Sequence, residues 1–133
     1  MEKFKQLKYT AQELLGLGNL EVVDSAFSED YMAHAGDKIY SGQKFVMQFV
    51  TKLRTAIPNL KILRIELLSQ ADNRITWQRS FSGTHKAELN GIPASNKKVT
   101  WYEIVVSRFE NDKIVEEWVV SDLAFQLMLK HKN

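Results

Sequence analysis

From Glu2 to Leu17 the apolar residues Phe4, Leu7, Ala11, Leu14 and Leu15 recur every three or four positions. That period predicts an amphipathic helix, ended by Gly16, Gly18 and Asn19. A second, short helix is predicted through Leu20, Val22, Val23 and Phe27. SEDYMAH then reads as a brief extended segment entering the AGDK turn. A third helix is predicted around Gln43 to Ala56, where Phe45, Val46, Phe49, Val50 and Leu53 build an apolar face and Pro58 blocks continuation.

After Pro58 the pattern changes. LKILRIELLS, RITWQRSFSGTHKAEL, KVTWYEIVVSRFE and KIVEEWVVS are rich in β-branched and aromatic residues, and ADN, LNGIPASNK and END separate them. Three helices, a meander of long antiparallel strands and a closing helix from Asp122 to His131 imply one α+β domain over residues 1–133. The helices are expected on one face of a curved sheet, over a conical pocket. Asn90-Gly91 has the chemistry of a sharp reversal and Pro93 cannot donate to a ladder, so Leu89 to Lys98 is predicted to be a loop at the mouth of that cone.

The turn at Glu110, Asn111 and Asp112 decides which acids share a face. A three-residue loop pairs Phe109 with Lys113 and sets Val105 against Glu117, Glu103 against Val119 and Trp101 against Ser121. A two-residue Asn-Asp loop instead sets Trp101 beside Asp122 and Val105 beside Trp118.

A chain of 133 residues, 44% hydrophobic and 26% charged, has the composition of an ordinary globular domain. No segment repeats, and none is a signal peptide or a membrane span by its pattern. With no cysteine there is no disulfide, thiol nucleophile or thiolate metal site, which fits a cytoplasmic protein. The formal charge of +2 is small and the basic residues are scattered, so the pattern does not suggest nucleic-acid binding. The histidines at 34, 85 and 131 fall on different elements, with no metal-ligand spacing and no phosphate-binding loop. No metal and no cofactor is expected.

GTH at Gly83 to His85, NGIP at Asn90 to Pro93, and RFENDKIVEEW from Arg108 to Trp118 followed by Asp122 resemble the SnoaL-like group of the nuclear transport factor 2-like superfamily. DYMAH and the helix ending in LRTAIPNL extend the resemblance over nearly the whole chain. It implies a cystatin-like fold: a cone-shaped barrel of strongly curved mixed sheet packed on three to four helices. In polyketide cyclases of that group an aspartate on the last strand and a histidine on the strand before it perform the acid/base work. The resemblance places Val119 and Val105 at those positions, and valine cannot move a proton.

The candidates for chemistry must therefore lie elsewhere. His85 has the strand parity of Ile75, Trp77, Arg79 and Phe81, and an imidazole there can act as acid or base; a strand-end histidine bonded to the following loop is the plainer reading. His34, near Tyr31 with its phenolic donor, is placed to reach the pocket from the helical side, or else begins the turn before Gly36. Glu103 interrupts an apolar face between Trp101 and Val105, so its pKa is expected to rise as a general acid or base requires; pairing with Arg79 or Arg108 is the alternative. Glu117 joins Glu103 under the three-residue turn, but it adjoins Glu116, and one of the two must point outward. Asp122 is a candidate ligand contact and also an N-cap for the last helix. Trp77, Trp101 and Trp118 supply apolar walls, or fill a core or a dimer interface.

Two functions follow. In the first, a cofactor-independent enzyme moves protons on a small, largely apolar, oxygenated molecule, with His34, His85 and Glu103 as catalytic residues and Tyr31, Trp77, Trp101, Glu117 and Asp122 as ligand contacts. In the second, the cavity only binds, or is filled, and the domain serves for association. Both faces of KVTWYEIVVS are apolar, so the face with Tyr102, Ile104 and Val106 is expected to form a homodimer.

Overall fold

The computed structural model describes residues 2–132. Helix α1 (Glu2–Ala11) runs into a π-helical turn (Gln12–Gly16), followed by a 3₁₀ turn (Leu20–Val22) and the single turn α2 (Val23–Ala26). Strands β1 (Phe27–Ala35) and β2 (Lys38–Ser41) precede α3 (Gln43–Ala56). The long strands β3 (Lys61–Ala71), β4 (Arg74–Thr84), β5 (Lys98–Glu110) and β6 (Lys113–Ser121) lead to α4 (Leu123–Lys132). No helix among the described residues is long and apolar enough to cross a membrane.

The chain is thus α+β, as its periodicity predicts, but its first half carries more strand than the pattern suggested. SEDYMAH is most of a nine-residue strand, and KIYS pairs back on it as β2. Gly36, at φ 64°, makes that reversal possible. The first helix passes from α to π geometry after Ala11, and Arg54 of α3 explains how its end is tolerated. Its Nη1 donates to the carbonyls of Leu15 and Gly16 at 2.8 and 3.1 Å, satisfying acceptors that a helix end leaves open.

The six strands form one curved sheet in the order β2-β1-β6-β5-β4-β3. Pairing is antiparallel except between β1 and β6, which run parallel, so the sheet is mixed. It does not close into the barrel that the resemblance implied: β2 and β3 remain as edges. β3 is bulged at Leu63 and Leu68, where one extra residue faces β4, and bulges of this kind bend an edge strand.

One face of the sheet is the core face. Ile75, Trp77, Phe81, Val99, Trp101, Val105, Phe109 and Ile114 from the strands pack with Leu7, Leu14, Val50, Leu53 and Ile57 in a single cluster. Gly83 shows how tightly this layer is built. A Cβ at Gly83 would collide with the Ile57 side chain and lie 3.2 Å from the Leu60 backbone, so the glycine of GTH lets β4 approach the end of α3.

Gly83→Ala should cost about 1–3 kcal/mol in denaturant unfolding, the range for inserting a methyl into a filled core. A loss within the error of the wild-type value would mean that Ile57 has room to yield.

Candidate functional site

Within the core face lies a line of polar side chains that bond to one another. Tyr31 of β1 donates its hydroxyl to Glu117 Oε1 at 2.7 Å, and Ser107 of β5 donates to Glu117 Oε2 at 2.5 Å. Ser107 in turn accepts the indole N–H of Trp77 on β4 at 3.0 Å. The indole is only a donor, so it takes one lone pair of the serine and leaves the serine proton available to an ionised Glu117. Glu117 is buried, and burial pushes its pKa upward, opposed by the charge of Arg79 and by the Ser107 and Tyr31 hydroxyls. Burial, and then the charge of Glu117, hold the Tyr31 phenol well above its usual range.

A second buried pair stands beside the first. Arg79 of β4 donates from Nε at 2.7 Å and approaches through Nη2 at 2.6 Å, both to Glu103 Oε1 on β5. The guanidinium carbon sits 5.1 Å from the Trp77 ring centroid and 5.8 Å from that of Phe81, against aromatic faces that favour a cation. Phe81 stacks on Trp101 at 5.0 Å. Glu103 therefore lies inside, beside Trp101, as the enzyme reading required, and is paired with Arg79, as the plainer reading had it. The carboxylate meets a cation as well as the apolar walls assumed from sequence.

The hairpin that brings Glu103 and Glu117 to one face follows neither expected register. Glu110 pairs with Lys113 across a two-residue turn in which Asn111 and Asp112 have φ of 50° and 65°, the left-handed pair that such hairpins require. Past Phe109 and Ile114 the pairing shifts by one residue at a bulge at Val115, so that Ser107 faces Glu117, Val105 faces Val119 and Glu103 faces Ser121. Without the bulge the two-residue turn would set Trp118 opposite Val105 and turn Glu117 outward. The bulge restores the face that the three-residue loop predicted, with every pair displaced.

His34 stands apart from this network. It lies three residues from Tyr31 on a strand, so the two side chains point to opposite faces, and the Tyr31 and His34 pair expected from sequence does not form. On the outer side His34 Nε2 bonds Glu116 Oε2 at 2.7 Å, and its ring stacks on Trp118 with centroids 5.1 Å apart. Arg108 Nε also reaches Glu116, at 3.0 Å. Burial alone would raise the Glu116 pKa, but the hydrogen bonds and charges of His34 and Arg108 outweigh it and hold the group low.

His85 is buried, and burial pushes its pKa down against the opposing pull of a hydrogen bond to the Ala87 backbone. Its backbone is held: the N–H donates to Lys97 O at 3.1 Å and the carbonyl accepts from Asn96 N at 2.9 Å. The following residues form the predicted loop, with Asn90 and Gly91 making the reversal between Leu89 and Ile92, and only Lys98 of the expected span belongs to a strand. Asp122 is not on the inner face. Its Oδ1 accepts the Tyr102 N–H at 2.9 Å and its Oδ2 accepts from Gln126 at 3.2 Å, joining the start of α4 to β5. Trp101 is buried with its indole N–H unpartnered.

Sequence reading named Arg79 only as a possible partner of Glu103 and passed over Ser107. Their signal was parity: Arg79 alternates with Trp77 and Phe81, and Ser107 with Glu103 and Val105. Two surface depressions, of about 270 and 540 Å³, border Arg54 and Ile62 respectively and share no residue with this network.

The SnoaL-like polyketide cyclase family model matches residues 5–128. No curated protein matches the sequence. Among solved structures, AclR of Streptomyces galilaeus, a provisionally assigned hydroxylase, superposes with a TM-score of 0.83 at 20% identity, covering 99% of this chain and 97% of its own. A provisionally assigned SnoaL-like polyketide cyclase of Jannaschia sp. CCS1 gives 0.87 at 14% identity, over 98% and 92%. One from Acidithiobacillus ferrooxidans, provisionally assigned as a polyketide cyclase, gives 0.84 at 19%, over 99% and 96%. At such identities the superpositions speak for the fold, and the family model for the lineage. The chain belongs to the SnoaL-like polyketide cyclase family.

Proposed function

We propose that the inner face of the sheet receives a small, largely apolar, oxygenated molecule and that Glu117 exchanges a proton with it, without a cofactor. The observation that supports this reading is the Glu117 carboxyl itself, buried, pushed upward in pKa and held by two hydroxyls. A carboxyl whose pKa is raised is a stronger base once ionised, suited to take a proton from a carbon beside a carbonyl and return it elsewhere. The positive charge of Arg79 steadies the ionised Glu117, and Tyr31 would supply a hydrogen bond as Glu117 changes charge. Trp77, Phe81 and Trp101 supply the apolar wall. Glu103 sets the position of Arg79. His85, buried just past β4, is a further donor or acceptor for a ligand oxygen. Val105 and Val119 face each other where the cyclases of the family carry their acid/base pair, so the proton-moving role passes to the neighbouring pair, Ser107 and Glu117.

A second reading, association without catalysis, has its own support. The outer face exposes Tyr102 by 46% and Val120 by 71%, beside half-buried Ile104 and Val106. Such a surface suits a second copy of the chain, and sedimentation should give a dimer at micromolar concentration; a monomer removes this interface.

The catalytic reading predicts exchange of the α-protons of an apolar aryl ketone, 1-tetralone, with solvent deuterium, followed by NMR. Glu117→Gln should lower that exchange by about 10²–10⁴-fold, while His34→Ala leaves it near the wild-type rate. Equal rates in the Gln variant and the wild type would end the proposal.

The raised Glu117 pKa also has a stability signature. The folded chain holds this proton over a pH range in which the unfolded chain has released it, so stability falls as pH rises from the ordinary carboxylate range through the raised value. Glu117→Gln has no such proton to lose. Its melting temperature relative to wild type should therefore climb as pH rises across that window, and a difference independent of pH would contradict the shift.

A further inference from the structure

We propose that Glu103 determines the charge of the ligand this site accepts, excluding carboxylates and admitting uncharged molecules; the inference rests on the reading of the inner face as a ligand site. The observations concern the buried charges of the inner face. Among the described residues the buried charged side chains are one cation, Arg79, and two carboxyl groups, Glu103 and Glu117. His85, the other buried titratable base, is driven toward its neutral form. Arg79 is already engaged, with Nε and Nη2 converging on one oxygen of Glu103. The two side chains are only 11% and 6% exposed, so neither is free to turn into water.

A carboxylate ligand entering here would be a third acid beside a single cation. It would surrender its hydration without gaining a free counter-charge, and the repulsion from Glu103 acts in a medium that screens poorly. Glu103 cannot withdraw to make room, because separating a buried pair strands both charges. An ester or ketone meets no such penalty. Its carbonyl asks only for a hydrogen bond, which the unpartnered indole N–H of Trp101 can give. The aromatic faces of Trp77 and Phe81 against Arg79 hold that cation where it is and add no second one.

The role predicts a reversal when the charge alone is removed. Glu103→Gln keeps the shape and one acceptor oxygen but leaves Arg79 without its carboxylate, while Glu117 remains tied to Tyr31 and Ser107. The fork then becomes a receptor for an anion.

The probes are 2-naphthoate and its methyl ester, a matched pair differing in charge, titrated calorimetrically into the intact chain at neutral pH. The wild type should bind the ester at least about tenfold more tightly than the acid, and Glu103→Gln should move the ratio toward the acid by about tenfold or more with the ester affinity little changed. A second variant, Arg79→Met with Glu103→Met, replaces the pair by apolar side chains, which a core tolerates well. It should keep the ester and still refuse the acid. Acid binding equal to ester binding in the wild type overturns the proposal, as does an unchanged ratio in Glu103→Gln or acceptance of the acid by the double variant. If the ester binds and only the ratio fails to move, the inner face stands as a ligand site and Glu103 loses its role. If neither probe binds any of the three proteins, the ligand-site reading falls and takes this inference with it.

Discussion

A carboxyl group can be placed among tryptophans and valines only if the groups around it take over the work of water, and the inner face of this sheet is arranged to meet that requirement. Glu117 receives a hydroxyl on each oxygen, from strands on either side of its own, and Glu103 receives a guanidinium. An unpartnered buried charge would cost several kcal/mol, comparable with the whole stability of a small domain. The identities of Tyr31, Ser107, Arg79 and the indole of Trp77 therefore follow from the presence of two acids in the core. Four strands must be in register for the set to exist. The polar line is in this sense a condition on the fold as much as a feature of it.

Glu116 and Glu117 display the same constraint from both sides. They are neighbours in sequence with identical intrinsic chemistry, yet one is drawn down in pKa by a histidine and an arginine on the outer surface and the other is pushed up by burial. Nothing in the side chains distinguishes them. The pleat assigns one to a half-buried ion pair on the outer face and the other to an interior that resists charge.

Much of this architecture was legible. The change from a period near 3.6 to a period of two at Pro58, and the turn chemistry of Asn90-Gly91, marked the long strands and the loop between β4 and β5. The aromatic parity of Trp77, Arg79 and Phe81 marked the inner face. What escaped was set by tertiary pairing. β1 is recognisable as a strand mainly through its parallel partner β6, which is distant in sequence, and KIYS has too few residues to carry a pattern of its own. The expectation for Tyr31 and His34 failed on spacing, since an odd separation in an extended chain sends two side chains apart. The burial of the His85 ring depends on how α3 and the loop close over it, which no local pattern encodes.

The extra residue at Val115 reaches beyond this one hairpin. It acts as a phase shifter: upstream of it the strand is in step with a two-residue turn, and downstream it is in step with the interior. Gain or loss of a single codon here would exchange the interior carboxyl for its exterior neighbour without altering any functional side chain, so the chemistry of the pocket is exposed to insertion and deletion as well as to substitution. Among distant relatives, equivalent columns in a gap-free comparison of this hairpin need not be equivalent faces of the sheet. Counting bulges is then a prerequisite for deciding which acid corresponds to which.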